Sequence, residues 1–255
     1  MGGDCVQMSK FFVKSENISS DLITITGEDV IHIKKVLRLK NGDNIIVSDG
    51  LGTDYNVEIH EIHSHKVETK IISSYKNISE PPVNTILFQG IPKSDKMDYI
   101  IQKGVELGVN KIVPVVTERT IVKISKDNYK KKHERWNRIS MEAAKQCNRG
   151  IVPEVGYPVN FKDVVETLPG DALKILPYEK EKSQGIKGIL KEKSNNKDIY
   201  IFIGPEGGFC EKEIELALKN DFNIISLGPR ILRTETAGIV VLSILMYELG
   251  DVGYV

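Results

Sequence analysis

Two short segments combine the residue types that hold and react with small molecules. Ile201–Phe209 reads IFIGPEGGF and Leu227–Ala237 reads LGPRILRTETA. Each is an apolar run that stops at Gly-Pro and precedes a helix-like stretch. Glycine leaves room for backbone amides to sit directly against a ligand, and proline fixes φ and removes one N–H, which stiffens the turn. Two such loops at the ends of neighbouring strands build a pocket lined by main chain, at the edge of an open α/β sheet where ligands bind. Either loop alone is an ordinary strand–helix turn. The pair, with Arg233 and Glu235 added, points to a site.

Familiar alternatives are missing. There is no GxGxxG, no GxxxxGK[ST] and no GxSxG, so the dinucleotide fold, the P-loop and the hydrolase elbow lack their fingerprints. Gly204-Pro205-Glu206-Gly207-Gly208 resembles a phosphate loop only in glycine content. It has no lysine, and Glu206 repels an anion. A neutral or cationic ligand suits it better, and S-adenosylmethionine, with a sulfonium and an adenine readable by backbone groups, is one.

The elements that must position these loops lie in the second part of the chain. After Ser79-Glu80-Pro81-Pro82, where neither strand nor helix continues, the rhythm becomes strand, helix, strand, helix. Strands are expected at Thr85–Gln89, Lys111–Val116, Leu173–Leu176, Tyr200–Ile203 and Asn223–Leu227. Helices are expected at Asp95–Leu107, capped by Ser94, and at Tyr129–Cys147, Glu211–Lys219 and Glu235–Leu249; Gly185–Asn196 reads as a loop or short helix. Trp136, the only tryptophan, reads as core before base stacking. Ala237–Tyr247 is apolar nearly all round, more than a surface helix on one sheet requires, so one face is expected on the sheet and another on a second subunit.

Before the Pro-Pro linker the pattern is strand-like. Asn44–Ser48, Tyr55–Ile62 and Lys66–Ile72 are separated by turns at Asn41-Gly42-Asp43 and 49–52, and Glu28–Leu39 reads as a short helix. This is a small β-rich domain, expected to be a compact barrel. Residues 1–7 show no periodicity and read as an extension. The boundaries are 8–78 and 83–255.

The chain has 255 residues and zero formal net charge. Its three scattered cysteines and five scattered histidines fit a reducing cytoplasm and give no metal-ligand spacing. Neither a secretory signal nor a bilayer-length apolar run is seen. The charge is unevenly placed: between Lys93 and Arg149 there are 14 Lys and Arg against 7 Asp and Glu. Such a basic block can attract phosphate, or simply be a solvated helix face.

The loops GPEGGF and LGPRILRTETA resemble the SPOUT class of knotted methyltransferases, and more narrowly the ribosomal RNA small subunit methyltransferase E family. The similarity extends through His32–Arg38 (HIKKVLR), the Asp49-Gly50 turn, Lys93 with Lys96-Met97, Gln102-Lys103, Glu106-Leu107-Gly108-Val109, Arg135-Trp136, Glu142-Ala143-Ala144, Gln146-Cys147 and Arg149. It covers nearly everything from Met8 onward. Lys10 stands where the family usually has arginine, which keeps the charge and loses bidentate phosphate contact.

The resemblance implies a C-terminal SPOUT α/β knot, a deep trefoil knot in a mostly parallel sheet, with a small N-terminal β-barrel PUA-like domain. It implies a homodimer that methylates N3 of a uridine in 16S rRNA, within the 30S subunit, using S-adenosylmethionine and no metal or membrane. The cofactor would lie on Leu176, Pro177, Gly204, Pro205, Glu206, Gly207, Gly208, Leu227, Gly228, Ile231, Leu232, Arg233 and Thr234. N3 of uracil must lose a proton, and the charge left on the flanking oxygens needs a donor. Arg233 is the expected donor; Glu206 and Glu235 are candidates to accept the proton or to orient Arg233. Lys10, His32, Arg38, Lys93, Lys96, Arg119, Arg135, Arg138 and Arg149 would hold RNA phosphates. Alternatives are another SPOUT enzyme acting on a ribose 2′-hydroxyl or on tRNA, and a non-catalytic assembly factor that kept the fold.

Overall fold

The computed structural model describes residues 8–121, 126–192 and 197–253; the expectation for residues 1–7 lies outside them. The chain divides into two units. One runs up to Glu80 and adds Ala144–Val152; the other is Pro81–Ala143 with Pro153–Val255. The division falls between Glu80 and Pro81, and Ala144–Val152 belongs with the first unit.

The first unit holds a five-stranded sheet of β1 (Lys10–Phe12), β2 (Leu22–Thr26), β3 (Asn44–Ser48), β4 (Thr53–Ile62) and β5 (Lys66–Lys76), in the order β1-β3-β4-β5-β2. β1 runs parallel to β3 and the other pairs are antiparallel. Alternation decides which face is buried: Ile23, Ile25, Ile45, Val47, Val57, Ile59 and Val67 all point into one core. The β3–β4 turn is set by Asp49, whose carboxylate accepts the amides of Leu51 (2.7 Å) and Thr53 (3.0 Å). The expected helix at 28–39 is shorter and irregular. It is α-helical as α1 (Glu28–Ile31) and π-helical over His32–Leu37, and it ends with Arg38 in the left-handed region.

The second unit is built on seven parallel strands. They are β6 (Asn84–Gly90), β7 (Lys111–Val116), β8 (Glu154–Val155), β9 (Val159–Asn160), β10 (Leu173–Pro177), β11 (Asp198–Ile203) and β12 (Asn223–Ile225). The order is β12-β10-β11-β6-β7-β8, with β9 also pairing β7. The helices are α2 (Lys96–Glu106), α3 (Lys126–Gln146), α4 (Phe161–Val165), α5 (Ile186–Glu192), α6 (Glu211–Lys219) and α7 (Thr234–Glu248). The central strands read as continuous apolar runs because both faces are covered. On one face Phe202 stacks on Phe88 at 4.3 Å and meets Phe161 and Phe222 edge-on; burying one such ring contributes about 3 kcal/mol. Trp136 is buried with its edge against Tyr129, as expected of a core residue.

One local expectation changes. Ser94 does not cap α2: it takes φ +57° and the N-cap is Asp95. Of the two readings for the segment after Gly185, the short helix is the one found, as α5. In α7, Gly238, Val241, Leu242, Leu245 and Met246 face inward, while Ile239, Val240 and Ile244 are half-buried and Tyr247 is exposed.

Candidate functional site

Three parallel strands, β10, β11 and β12, end side by side, and a cavity of about 590 Å³ opens at their carboxyl ends. Its walls are three connections: Pro177-Tyr178-Glu179 after β10, Ile203–Phe209 after β11, and Ser226–Thr234 after β12. Lys96 from the start of α2 and Ala237 from α7 complete it. This is where an open parallel sheet offers space, because the loops there diverge.

The loop after β11 is locked from several sides. Pro205 is packed so tightly on Gly90 that a Cβ at Gly90 would lie 2.5 Å from its ring and nitrogen. The Thr234 hydroxyl donates to the Gly204 carbonyl at 2.6 Å and accepts from Gln89 Nε2 at 2.8 Å. Arg119 donates to the Gly207 carbonyl at 2.7 Å. Glu206 accepts from the Lys93 amide at 3.1 Å and pairs with Lys96 at 3.1 Å. Burial works to raise the Glu206 pKa, but hydrogen bonds from its own backbone amide, the Lys96 ammonium and the Lys93 amide outweigh it, so the carboxyl is held below its usual range. Further along, the Glu213 carboxylate takes the amides of Cys210 (2.8 Å) and Glu118 (2.9 Å), tying the start of α6 to the segment after β7.

The structure brings together most of the residues singled out in the sequence. Pro177, Gly204, Pro205, Glu206, Gly207, Gly208, Leu227, Gly228, Ile231, Leu232, Arg233 and Thr234 all line the one cavity. Two do not. Leu176 is fully buried in the Phe88–Phe202 core, because β10 is buried throughout Leu173–Leu176 and its lining of the cavity begins only at Pro177. Glu235 is beside the cavity rather than on its wall, and its contact with the site is an ion pair to Lys96 at 3.2 Å. Tyr178, Glu179, Ser226 and Arg230 also line the cavity. Tyr178 and Ser226 follow directly on strand ends and Glu179 comes one residue later, which is the available signal; Arg230 lies within the Leu227–Ala237 segment, but the sequence does not single it out.

The expected phosphate contacts separate into two groups. Lys10 is buried: its ammonium pairs with Asp54 at 2.7 Å and donates to the Asn148 carbonyl at 3.3 Å. Arg149 is 2% exposed and pairs with Glu80 at 2.7 Å. Neither is placed to hold a phosphate, and breaking such a buried pair costs about 3–5 kcal/mol; these two assignments are corrected to structural roles. Lys96 is at the cavity rather than on a phosphate track. His32 and Arg38 are exposed on the first unit; Lys93, Arg119, Arg135 and Arg138 are exposed on the second. Arg135 is shared with Asp98. Along α3 Lys130, Lys131, Arg135 and Arg138 are exposed, with Glu134 and Glu142 among them, a face of mixed charge with a basic excess. Among the described residues no helix is long and apolar enough to cross a membrane.

Known proteins supply the remaining context. Residues 79–246 match the model of an RNA methyltransferase domain, and residues 25–72 that of an RNA methyltransferase PUA domain. The ribosomal RNA small subunit methyltransferase E of Bacillus subtilis is 34% identical over 248 residues, covering 94% of this chain and 97% of that one. The crystal structure of its namesake from Neisseria gonorrhoeae, bound to S-adenosylmethionine, is 30% identical with a TM-score of 0.88, covering 96% of this chain and 99% of that one. A Legionella pneumophila protein described as a methyltransferase, with its cofactor bound, is 32% identical with a TM-score of 0.82, covering 97% and 100%. With the paired Gly-Pro loops and the cavity between them, these matches leave one conclusion: the chain belongs to the ribosomal RNA small subunit methyltransferase E family.

Proposed function

We propose that this protein methylates N3 of a uridine in 16S rRNA, with S-adenosylmethionine as methyl donor. The observation that carries the reading is the cavity between the two Gly-Pro loops. Its size suits a nucleoside with an amino-acid tail, its backbone offers donors and acceptors for an adenine, and its wall carries charges of both signs, Glu179 and Glu206 beside Lys96, Arg230 and Arg233, to meet a ligand that bears an ammonium, a sulfonium and a carboxylate. The residues present therefore fit the cofactor. Gly204–Gly208, Pro177 and the segment 227–234 would hold it. When bound, it supplies a methyl group on a positively charged sulfur.

Arg233 stands on the cavity wall, and the carboxylates that could have engaged it, Glu206 and Glu235, are paired with Lys96 instead. That leaves Arg233 to meet the negative charge of the uracil ring once its N3 proton has gone. The exposed cations of α3, with Lys93 and Arg119, and separately His32 and Arg38 of the PUA-like unit, are the surfaces for RNA phosphates. We further read the half-exposed Ile239, Val240 and Ile244 of α7, with Tyr247, as the contact of a homodimer, the strands around the cavity as a trefoil knot, and the assembled 30S subunit as the substrate.

The test is product identity. Purified protein, labelled S-adenosylmethionine and 30S subunits lacking their methylations should give label in 3-methyluridine. A 2′-O-methyl nucleoside as product would contradict the reading. RNA binding should weaken steeply as salt is raised, and sedimentation should show a dimer at micromolar concentration.

A further inference from the structure

Lys96 is the first residue of α2, and its ammonium spans two carboxylates from distant parts of the chain. Nζ lies 3.1 Å from Glu206 Oε1 and 3.2 Å from Glu235 Oε2. The side chain is also part of the cavity wall, which Glu206 and Arg233 share. Glu235 is not; its Oε2 is buried with no aligned hydrogen-bond donor, so the Lys96 charge is what compensates it.

An ammonium carries three N–H groups. Its charge is shared between the two carboxylates, and because the side chain also forms part of the cavity wall it has an N–H to offer an occupant. The hydrogen bond to Glu206 raises the Lys96 pKa, desolvation works against this, and Glu235 adds to the rise. Lys96 is thus a permanent donor and not a base. The other charged groups facing the cavity are Arg230, Arg233, Glu179 and Glu206. In this structure the Lys96 ammonium is engaged by the two carboxylates at the cavity, unlike the exposed Lys93, Arg119 and Arg138 of the basic block.

We propose, resting on the uracil-N3 reading above, that Lys96 is a catalytic residue that donates to the uracil oxygen where negative charge collects, and that Glu235 is a positioning residue that aims it. The balance is simple. The N3–H bond breaks and its proton passes to solvent water. The electron pair left on N3 forms the bond to the methyl carbon, and the bond that breaks leaves its pair on the cofactor sulfur. Lys96 and Arg233 together stabilise the uracil anion that precedes this exchange.

The test uses the full chain with 30S particles reconstituted from transcribed 16S rRNA carrying either uridine or 5-fluorouridine. Fluorine makes the N3 proton more acidic, so its anion needs less help. Lys96→Gln should bind S-adenosylmethionine within about twofold of wild type by calorimetry in the absence of RNA, and should lower kcat on the order of 10²-fold. Its rate should climb more steeply with pH than that of wild type, and 5-fluorouridine should restore most of the loss. Glu235→Gln, which keeps the shape, should lower kcat by about tenfold and should add nothing to Lys96→Gln, since it acts through that lysine. Cofactor affinity that falls tenfold or more with kcat unchanged would overturn the assignment, by placing Lys96 on the cofactor. Equal slowing on uridine and 5-fluorouridine particles would also overturn it, by making the role structural. Wild-type product separates this from the function itself: a methyl elsewhere than N3 refutes the reading, whereas 3-methyluridine without rescue refutes only the role of Lys96.

Discussion

The two Gly-Pro loops look alike in sequence and are held in opposite ways. The loop Gly204–Phe209 is tied by Gly90, Thr234, Arg119, Lys93 and Lys96, and Pro205 within it is buried. In the loop Leu227–Leu232, Gly228, Pro229, Arg230 and Ile231 are all exposed, and Ile231 retains 87% of its surface. Around Gly228 there is open space where a side chain would be. One wall of the cavity is part of the fold; the other is held at its ends. Changes at Gly90 or Thr234, which hold the main chain of the first wall, should therefore appear as lost stability together with lost cofactor binding. Side-chain changes in the second should appear mainly in binding, because few protein contacts hold it.

The largest effect is expected from Gly90→Ala. The new Cβ would press on backbone and proline ring at 2.5 Å, with nothing flexible to move. Overpacking of this kind costs about 3 kcal/mol, and the displaced Pro205 should abolish measurable binding of S-adenosylmethionine. Thermal unfolding and calorimetry would read both. Thr234→Val comes next: it leaves Gln89 Nε2 and the Gly204 carbonyl each short of a partner, at about 2 kcal/mol. A Thr234→Val protein with unchanged melting would erase the contrast between the loops.

Glu206→Gln tests the electrostatic part of the same wall. The Glu206 carboxyl is held below 4.5 in the folded chain. Its advantage over glutamine is therefore full above that value and is lost as the pH falls through the lowered pKa. The difference in melting temperature between wild type and variant should shrink on acidification, and a difference that grows would reverse the sign argued here.

In the second loop, Gly228 has φ +106° in open space. Gly228→Ala should cost about 1 kcal/mol of backbone strain, with no steric clash added to it. Ile231→Ser is the smallest in stability, within about 0.5 kcal/mol. Yet it should weaken cofactor binding by roughly tenfold if the side chain covers the ligand. Unchanged affinity for Ile231→Ser would mean that this wall stays open when the site is filled.

The same contrast explains what could be read from the sequence. Strand β3 and helix α6 carry clear periodicity, and β7 and β11 are short apolar runs between strong turn residues, so all four are legible within a few residues. The Gly-Pro loops are legible because only glycine and proline solve a close backbone approach, and they place most of the cavity wall. Charge is the poorer guide. Lys10, Arg149, Lys96 and Arg135 belong to one class by composition, but their roles are set by Asp54, Glu80, Glu206 and Asp98, which lie between 37 and 110 positions away. Nothing local marks a lysine that will be buried on a carboxylate so remote. Leu176 fails for a related reason: a strand end identifies the neighbourhood of a ligand, but β10 is buried throughout Leu173–Leu176 and its lining of the cavity begins only at Pro177. The short strands β8 and β9 and the transfer of Ala144–Val152 to the first unit depend on pairing partners far along the chain, which no window of sequence contains.

The central claim is that the cavity between the two loops serves methyl transfer to uracil N3. The direct measurement is a nucleoside digest of rRNA after the purified protein, labelled S-adenosylmethionine and unmethylated 30S subunits have been incubated together. The account predicts label in 3-methyluridine, lost when Gly90 is replaced by alanine. Label in any other nucleoside, or none while cofactor binding is intact, would contradict it.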